Sequence, residues 1–126
     1  GKLASIPVVS QVVNAANRNE TFRAFLDANM GISPDALLPK YESNTLAKRM
    51  AKRTDATPIK AVAGSGTTGK VVLFGTCYGN YNEPQLGEDL VKVFEHNGIA
   101  VRLAEGVRCC GMPKLELGDL KAVEQA

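Results

Sequence analysis

The sequence predicts an α/β fold, in which a helical lead-in over residues 1–53 precedes a partial βαβα unit with a parallel sheet over 70–126. Three observations carry this. Apolar residues recur at three- and four-residue steps as far as Met50, the period of helices with one buried face. A short continuous apolar run, Val71-Val72-Leu73-Phe74, and a second strand-like stretch, Ile99 to Leu103, flank an amphipathic stretch, which is the order of a βαβ unit. Between the halves, residues 54–69 turn to Ala, Thr, Pro, Gly and Ser, the composition of a linker or a long surface loop.

Element by element, Leu3, Ile6, Val9, Val12, Val13 and Ala16 predict a core-facing helix, with Pro7 in a first turn where its missing N–H costs nothing. Asn19 caps a second helix that carries Phe22, Phe25, Leu26 and Met30 on one side, and Gly31 ends it in a left-handed conformation. Ser33-Pro34-Asp35 reads as a turn and Leu37-Leu38-Pro39 as an extended apolar segment that packs. A third helix is expected from a cap at Asn44 through Leu46 and Met50, with Lys48, Arg49, Lys52 and Arg53 as a solvated face. Lys70 to Thr76 predicts a parallel strand covered on both faces, with Cys77 at its carboxyl end. Asn82 and Gln85 have the spacing of a capping box, and Pro84 suits a first turn. Leu86, Leu90, Val93 and Phe94 mark the packed face of a helix ending near Gly98. Ile99 to Leu103 is the second strand. Leu115, Leu117, Leu120 and Val123 predict a last helix, broken or restarted at Asp119.

Composition excludes more than it identifies. Over 126 residues, 44% hydrophobic and 22% charged side chains allow one packed domain and argue against disorder. No apolar stretch approaches the ~18–20 residues of a membrane span, and a net charge of +2 is too mild to indicate nucleic acid. Gly1-Lys2-Leu3-Ala4-Ser5 lacks the apolar core of a signal peptide, and three cysteines are too few for a secreted disulfide scaffold, so a reducing, cytoplasmic compartment is expected. Gly64 to Lys70 has the glycine and lysine spacing of a phosphate-binding loop. However, Val71 stands where the metal-binding Ser or Thr belongs, and the loop leads into a strand instead of following one.

The cysteines carry the chemistry. Cys77 stands alone, 31 residues intervene, and Cys109 and Cys110 are adjacent. Neighbouring residues bridge each other only across a distorted peptide, so the pair suits a third party better than a disulfide. In an open α/β sheet, ligand sites gather outside the carboxyl ends of the strands, where this order puts Cys77 and the Cys109-Cys110 pair. Thiolates are soft ligands for iron–sulfur clusters or zinc. Gly79 and Gly111 would let the backbone, and its N–H groups, approach such a cluster closely. Tyr78 and Tyr81 could shield it, Asn80 and Asn82 read as turn and cap residues, and His96 sits where a helix C-terminus favours positive charge. A thiol–disulfide enzyme is disfavoured by the lack of C-x-x-C. No catalytic acid or base is indicated.

The run Phe74-Gly75-Thr76-Cys77-Tyr78-Gly79-Asn80-Tyr81-Asn82-Glu83-Pro84, followed by Cys109-Cys110-Gly111-Met112-Pro113, resembles the first four-fifths of a CCG cysteine-rich domain. Such domains occur in the B subunit of heterodisulfide reductase, the iron–sulfur subunit of glycolate oxidase and the C subunit of anaerobic glycerol-3-phosphate dehydrogenase. The lead-in, through Gly31-Ile32-Ser33-Pro34 and Leu38-Pro39-Lys40, resembles the last of these most. The resemblance implies an electron-transfer subunit of an oxidoreductase, not catalytic alone, that relays electrons between a flavin-bearing dehydrogenase subunit and a quinone or disulfide acceptor. It implies Cys77, Cys109 and Cys110 as ligands of an iron–sulfur cluster, of 4Fe-4S type or a non-cubane relative, with structural zinc as the alternative. It further implies a cytoplasmic location, peripheral at the inner face of the membrane. The family pattern closes with a C-x-x-C not found before Ala126, so a fragment of a longer polypeptide is expected.

Overall fold

The computed structural model describes residues 3–53, 65, 69–107 and 109–125. The expected linker and the phosphate-loop pattern lie outside the described residues, apart from Ser65, Gly69 and Lys70.

The lead-in opens with a 3₁₀ turn at Leu3–Ser5 and continues as α1 (Pro7–Ala16) and α2 (Glu20–Met30). Both helices end where the sequence signals put them. Pro7 occupies the first helical position, Asn19 Oδ1 accepts the Phe22 N–H at 2.9 Å, and Gly31 has φ 66°, with its N–H donating to Asp27 O. The apolar face expected to be core is only partly covered. Leu3, Ile6, Val12, Phe25 and Met30 are exposed, because among the described residues α1 packs mainly on the 3₁₀ turn. The lead-in is instead tied by polar groups. The Asn14 amide exchanges two hydrogen bonds with the Tyr41 backbone. The buried Arg23 guanidinium donates to the carbonyls of Ser33, Pro34 and Ala36. Leu37, expected to pack, is 99% exposed; those carbonyls turn in to Arg23, and Leu38 follows them to a half-buried position.

Helix α3 (Leu46–Ala51) is capped by Thr45, one residue later than expected. The Thr45 hydroxyl accepts the Lys48 N–H, while the Asn44 carbonyl accepts Arg49 Nε. Its basic residues do not form a purely solvated face. Arg49 pairs with Glu88 at 2.7 Å and Arg53 with Glu95, which clamps α3 to the long helix of residues 84–96.

Strands β1 (Lys70–Leu73) and β2 (Ala100–Leu103) form a two-stranded parallel sheet in register from Lys70↔Ala100 to Leu73↔Leu103, and the Ala104 N–H extends the ladder to Leu73 O. β1 is shorter than predicted because Gly75 and Thr76 turn into a short helix, α4 (Cys77–Tyr81). It is covered on one face only: Val71 and Leu73 are half-buried and Val72 is 52% exposed.

Helix α5 (Pro84–His96) crosses between the strands and ends before Gly98, whose φ is 73°. Its packed face is not the predicted one. Of the predicted residues Leu86, Leu90 and Val93 are exposed and only Phe94 is half-buried, whereas Pro84 and Val91 are buried. The reason is steric and electrostatic. Gly87 lies so close to Leu46 that a Cβ there would come within 2.4 Å of Leu46 Cδ2, and the two ion pairs draw Glu88 and Glu95 toward α3. The capping box does not form: α5 has Glu83 at its N-cap without a side-chain bond, and the Asn82 amide points elsewhere. Beyond β2, α6 (Met112–Glu116) and α7 (Leu120–Glu124) pack on each other. The break at Asp119 occurs as expected, its carboxylate accepting the Ala122 N–H.

Candidate metal centre

Cys77 is the first residue of α4. Thr76 remains extended, and its hydroxyl accepts the Gly79 N–H at 3.0 Å, a side-chain N-cap. The Thr76 carbonyl accepts the Asn80 N–H, and the Tyr78 carbonyl accepts both the Asn82 and Glu83 N–H groups. Five residues are too few for a self-sustaining helix, so lateral support decides whether this turn holds. Three hydrogen bonds supply it from residues 40–47. Asn80 Oδ1 accepts the Ala47 N–H at 2.9 Å, Asn82 Nδ2 donates to Lys40 O at 2.8 Å, and the Glu42 N–H donates to Tyr81 O at 2.7 Å. Asn80 and Asn82 are therefore bridging residues, and Asn82 is also the C-cap of α4. Sequence reasoning missed α4 and these bridges, although a Thr directly before the Cys77 turn was a usable cap signal.

Cys109 and Cys110 lie between β2 and α6. Gly111, buried, follows them with φ 76° and forms the N-cap of α6; its carbonyl accepts the Lys114 and Leu115 N–H groups. A side chain at this backbone angle is strained, so Gly111 is required by the turn itself. Gly79 has a different role. A Cβ there would stand 3.2 Å from Thr76 Oγ1, so its smallness makes room for the cap. The Gly79 N–H, expected to approach the sulfurs, is committed to the Thr76 hydroxyl, and the next one, of Asn80, to the Thr76 carbonyl.

All three cysteines are free thiols and exposed. Because β1 and β2 are parallel neighbours, their carboxyl ends share one edge of the sheet, and each cysteine segment follows one of those ends. The structure does not draw the three into a single set: among the described residues, no group of three or more His, Cys, Asp or Glu is placed to hold a metal ion. Three accessible, uncrosslinked thiols are chemically suited to a thiolate-bound cluster or zinc. Tyr78 is exposed and Tyr81 half-buried, and His96 is exposed in the last turn of α5.

The comparisons with known proteins fit this edge. Residues 71–125 match the family described as CCG, Cysteine-rich domain. Over 118 residues the chain is 36% identical to the C subunit of anaerobic glycerol-3-phosphate dehydrogenase from Escherichia coli (strain K12), an alignment covering 91% of this chain and 28% of that protein. It is 31% identical over 61 residues to the B subunit of fumarate reductase (CoM/CoB) from Methanothermobacter marburgensis, covering 48% of this chain and 12% of that one. It is 35% identical over 57 residues to lactate utilization protein A of Bacillus cereus (strain B4264), covering 45% and 24%. The chain thus spans little more than a quarter of the relative with which it aligns along most of its own length. No solved structure matches. Among the described residues, no helix is long and apolar enough to cross a membrane.

Proposed function

We propose that this chain is the cysteine-rich part of an iron–sulfur electron-transfer subunit of an oxidoreductase, with Cys77, Cys109 and Cys110 as thiolate ligands. The observation that carries the reading is the placement of three free, exposed thiols after the carboxyl ends of two parallel neighbouring strands, within the segment that matches the cysteine-rich family. A bound cluster would supply one-electron chemistry; the chain supplies the ligands and their surroundings. Cys77 is presented at the head of a capped turn. Cys109 and Cys110 are delivered by the stretch that Gly111 terminates, and Tyr78 lies beside the first thiol in sequence, where it can limit access of water. Three thiolates leave a four-iron cluster or a tetrahedral zinc one ligand short, and water or another polypeptide segment completes it. Two relatives bear the names of a dehydrogenase and a reductase subunit. By analogy, the electrons pass between a flavin-bearing dehydrogenase subunit and a quinone or disulfide acceptor, with the subunit peripheral at the inner face of the membrane.

Iron, acid-labile sulfide and zinc contents of the anaerobically prepared chain, read with visible absorption, test this. Near-equal iron and sulfide with a brown colour is the expected result, and Ser at any of the three cysteines should lower iron content while leaving the far-UV spectrum unchanged. Zinc alone would make the domain a structural module without redox activity. Unchanged iron in Cys77→Ser would overturn the ligand assignment.

A further inference from the structure

We infer that residues 40–47, outside the matched cysteine-rich segment, are a working part of the metal centre, because through Asn80 and Asn82 they position the Cys77 thiolate. This rests on the reading of Cys77 as a ligand. The bonds internal to α4 fix the turn only relative to itself; besides its packing on α5, the three bonds to Lys40, Glu42 and Ala47 tie it to the lead-in. That frame is firm where it matters. Leu46, between two of the tethered residues, is 2% exposed and wedged against Gly87, and its Cδ2 also lies 3.9 Å from where a Cβ on Gly75 would stand. Arg49 and Arg53, just beyond, anchor the same segment to α5. Movement of 40–47 therefore carries the Cys77 turn with it. A side chain that orients a metal ligand without touching the metal tunes both affinity and electronic properties, which makes Asn80 and Asn82 positioning residues.

The two asparagines act with opposite polarity, and this gives the inference a sharp signature. Asn80 accepts, so Asp in its place keeps the bond to the Ala47 N–H. Asn82 donates, so Asp there sets a carboxylate against the Lys40 carbonyl.

The test uses the full chain in two forms. In the metal-free form, the rate at which iodoacetamide alkylates Cys77 is read by mass spectrometry, with Cys109 and Cys110 of the same molecule as references. Asn80→Leu and Asn82→Asp should change the Cys77 rate by roughly threefold while leaving the other two unchanged, and Asn80→Asp should match the parent. In the form loaded with ferrous iron and sulfide, Asn80→Leu and Asn82→Asp should lower cluster occupancy about tenfold at limiting iron and alter the electron paramagnetic resonance spectrum of the reduced cluster, with Asn80→Asp restoring both. Selective changes at Cys77 with no cluster in any form, the parent included, would sustain the positioning of the thiol and refute the cluster reading. Equal reactivity of Cys77 in all variants, or parallel changes at all three cysteines, would overturn the positioning role whatever the metal.

Discussion

The turn that carries Cys77 and the stretch that carries Cys109 and Cys110 are held by different means. Around Cys77 every neighbouring residue from Thr76 to Glu83 has a backbone or side-chain bond within the turn or to residues 40–47, and the nearby core is Val91 together with Leu46, seated against Gly87. Around Cys109 and Cys110 the fixed point is Gly111, and the helices that follow pack on each other. The difference teaches that the Cys77 turn is held by bonds to distant residues, whereas the Cys109-Cys110 stretch is held by the local backbone turn at Gly111.

Breaking the first region should have the largest effect. Leu46→Ala removes the side chain between α3, α5 and the Cys77 turn and should cost ~2–5 kcal/mol, read by urea unfolding. A cost comparable to a surface substitution would show that the turn does not depend on this contact. Gly111→Ala attacks the second region alone. Holding Ala at φ 76° should cost ~1–2 kcal/mol and speed hydrogen exchange in 111–117, with exchange in 76–82 unchanged; faster exchange in both would erase the contrast. The smallest effect belongs to the clamp between α3 and α5. The Arg49–Glu88 pair is 18% and 24% exposed, and a double-mutant cycle with Arg49→Met and Glu88→Gln should give a coupling of ~0.5–1 kcal/mol that weakens as salt is added.

Much of this was legible in the residues. Asn19, Gly31, Pro7, Pro84, Gly98 and Asp119 each act through local backbone chemistry, and each stands where its signal put it. The parallel pairing of the two apolar runs was legible for the same reason that βαβ order is. What periodicity could not give was the packed face of α5. Leu86, Leu90 and Val93 form a regular apolar stripe, yet the face that docks is chosen by Gly87, which admits Leu46, and by Glu88 and Glu95, which answer arginines some forty positions earlier. A glycine and two acids leave no mark in a hydrophobic pattern. The Cys77 turn was hidden because five residues containing Gly and Asn have no period to read, and its supports lie in the lead-in, more than thirty positions away. The three cysteines were found by their spacing, but the groups that hold them were not.

The parallel ladder, which sets Lys70 against Ala100, imposes an order in time. Residues 40–47 and 76–82 precede β2 and the cysteine pair in the chain, and the sheet cannot close until the whole of α5 has been laid between its strands. The loops closed by the Asn80 and Asn82 bonds are as long as the one closed by the ladder, so closure entropy favours neither. The direction of synthesis does: on a growing polypeptide the Cys77 turn leaves the ribosome ahead of the segment that carries Cys109 and Cys110.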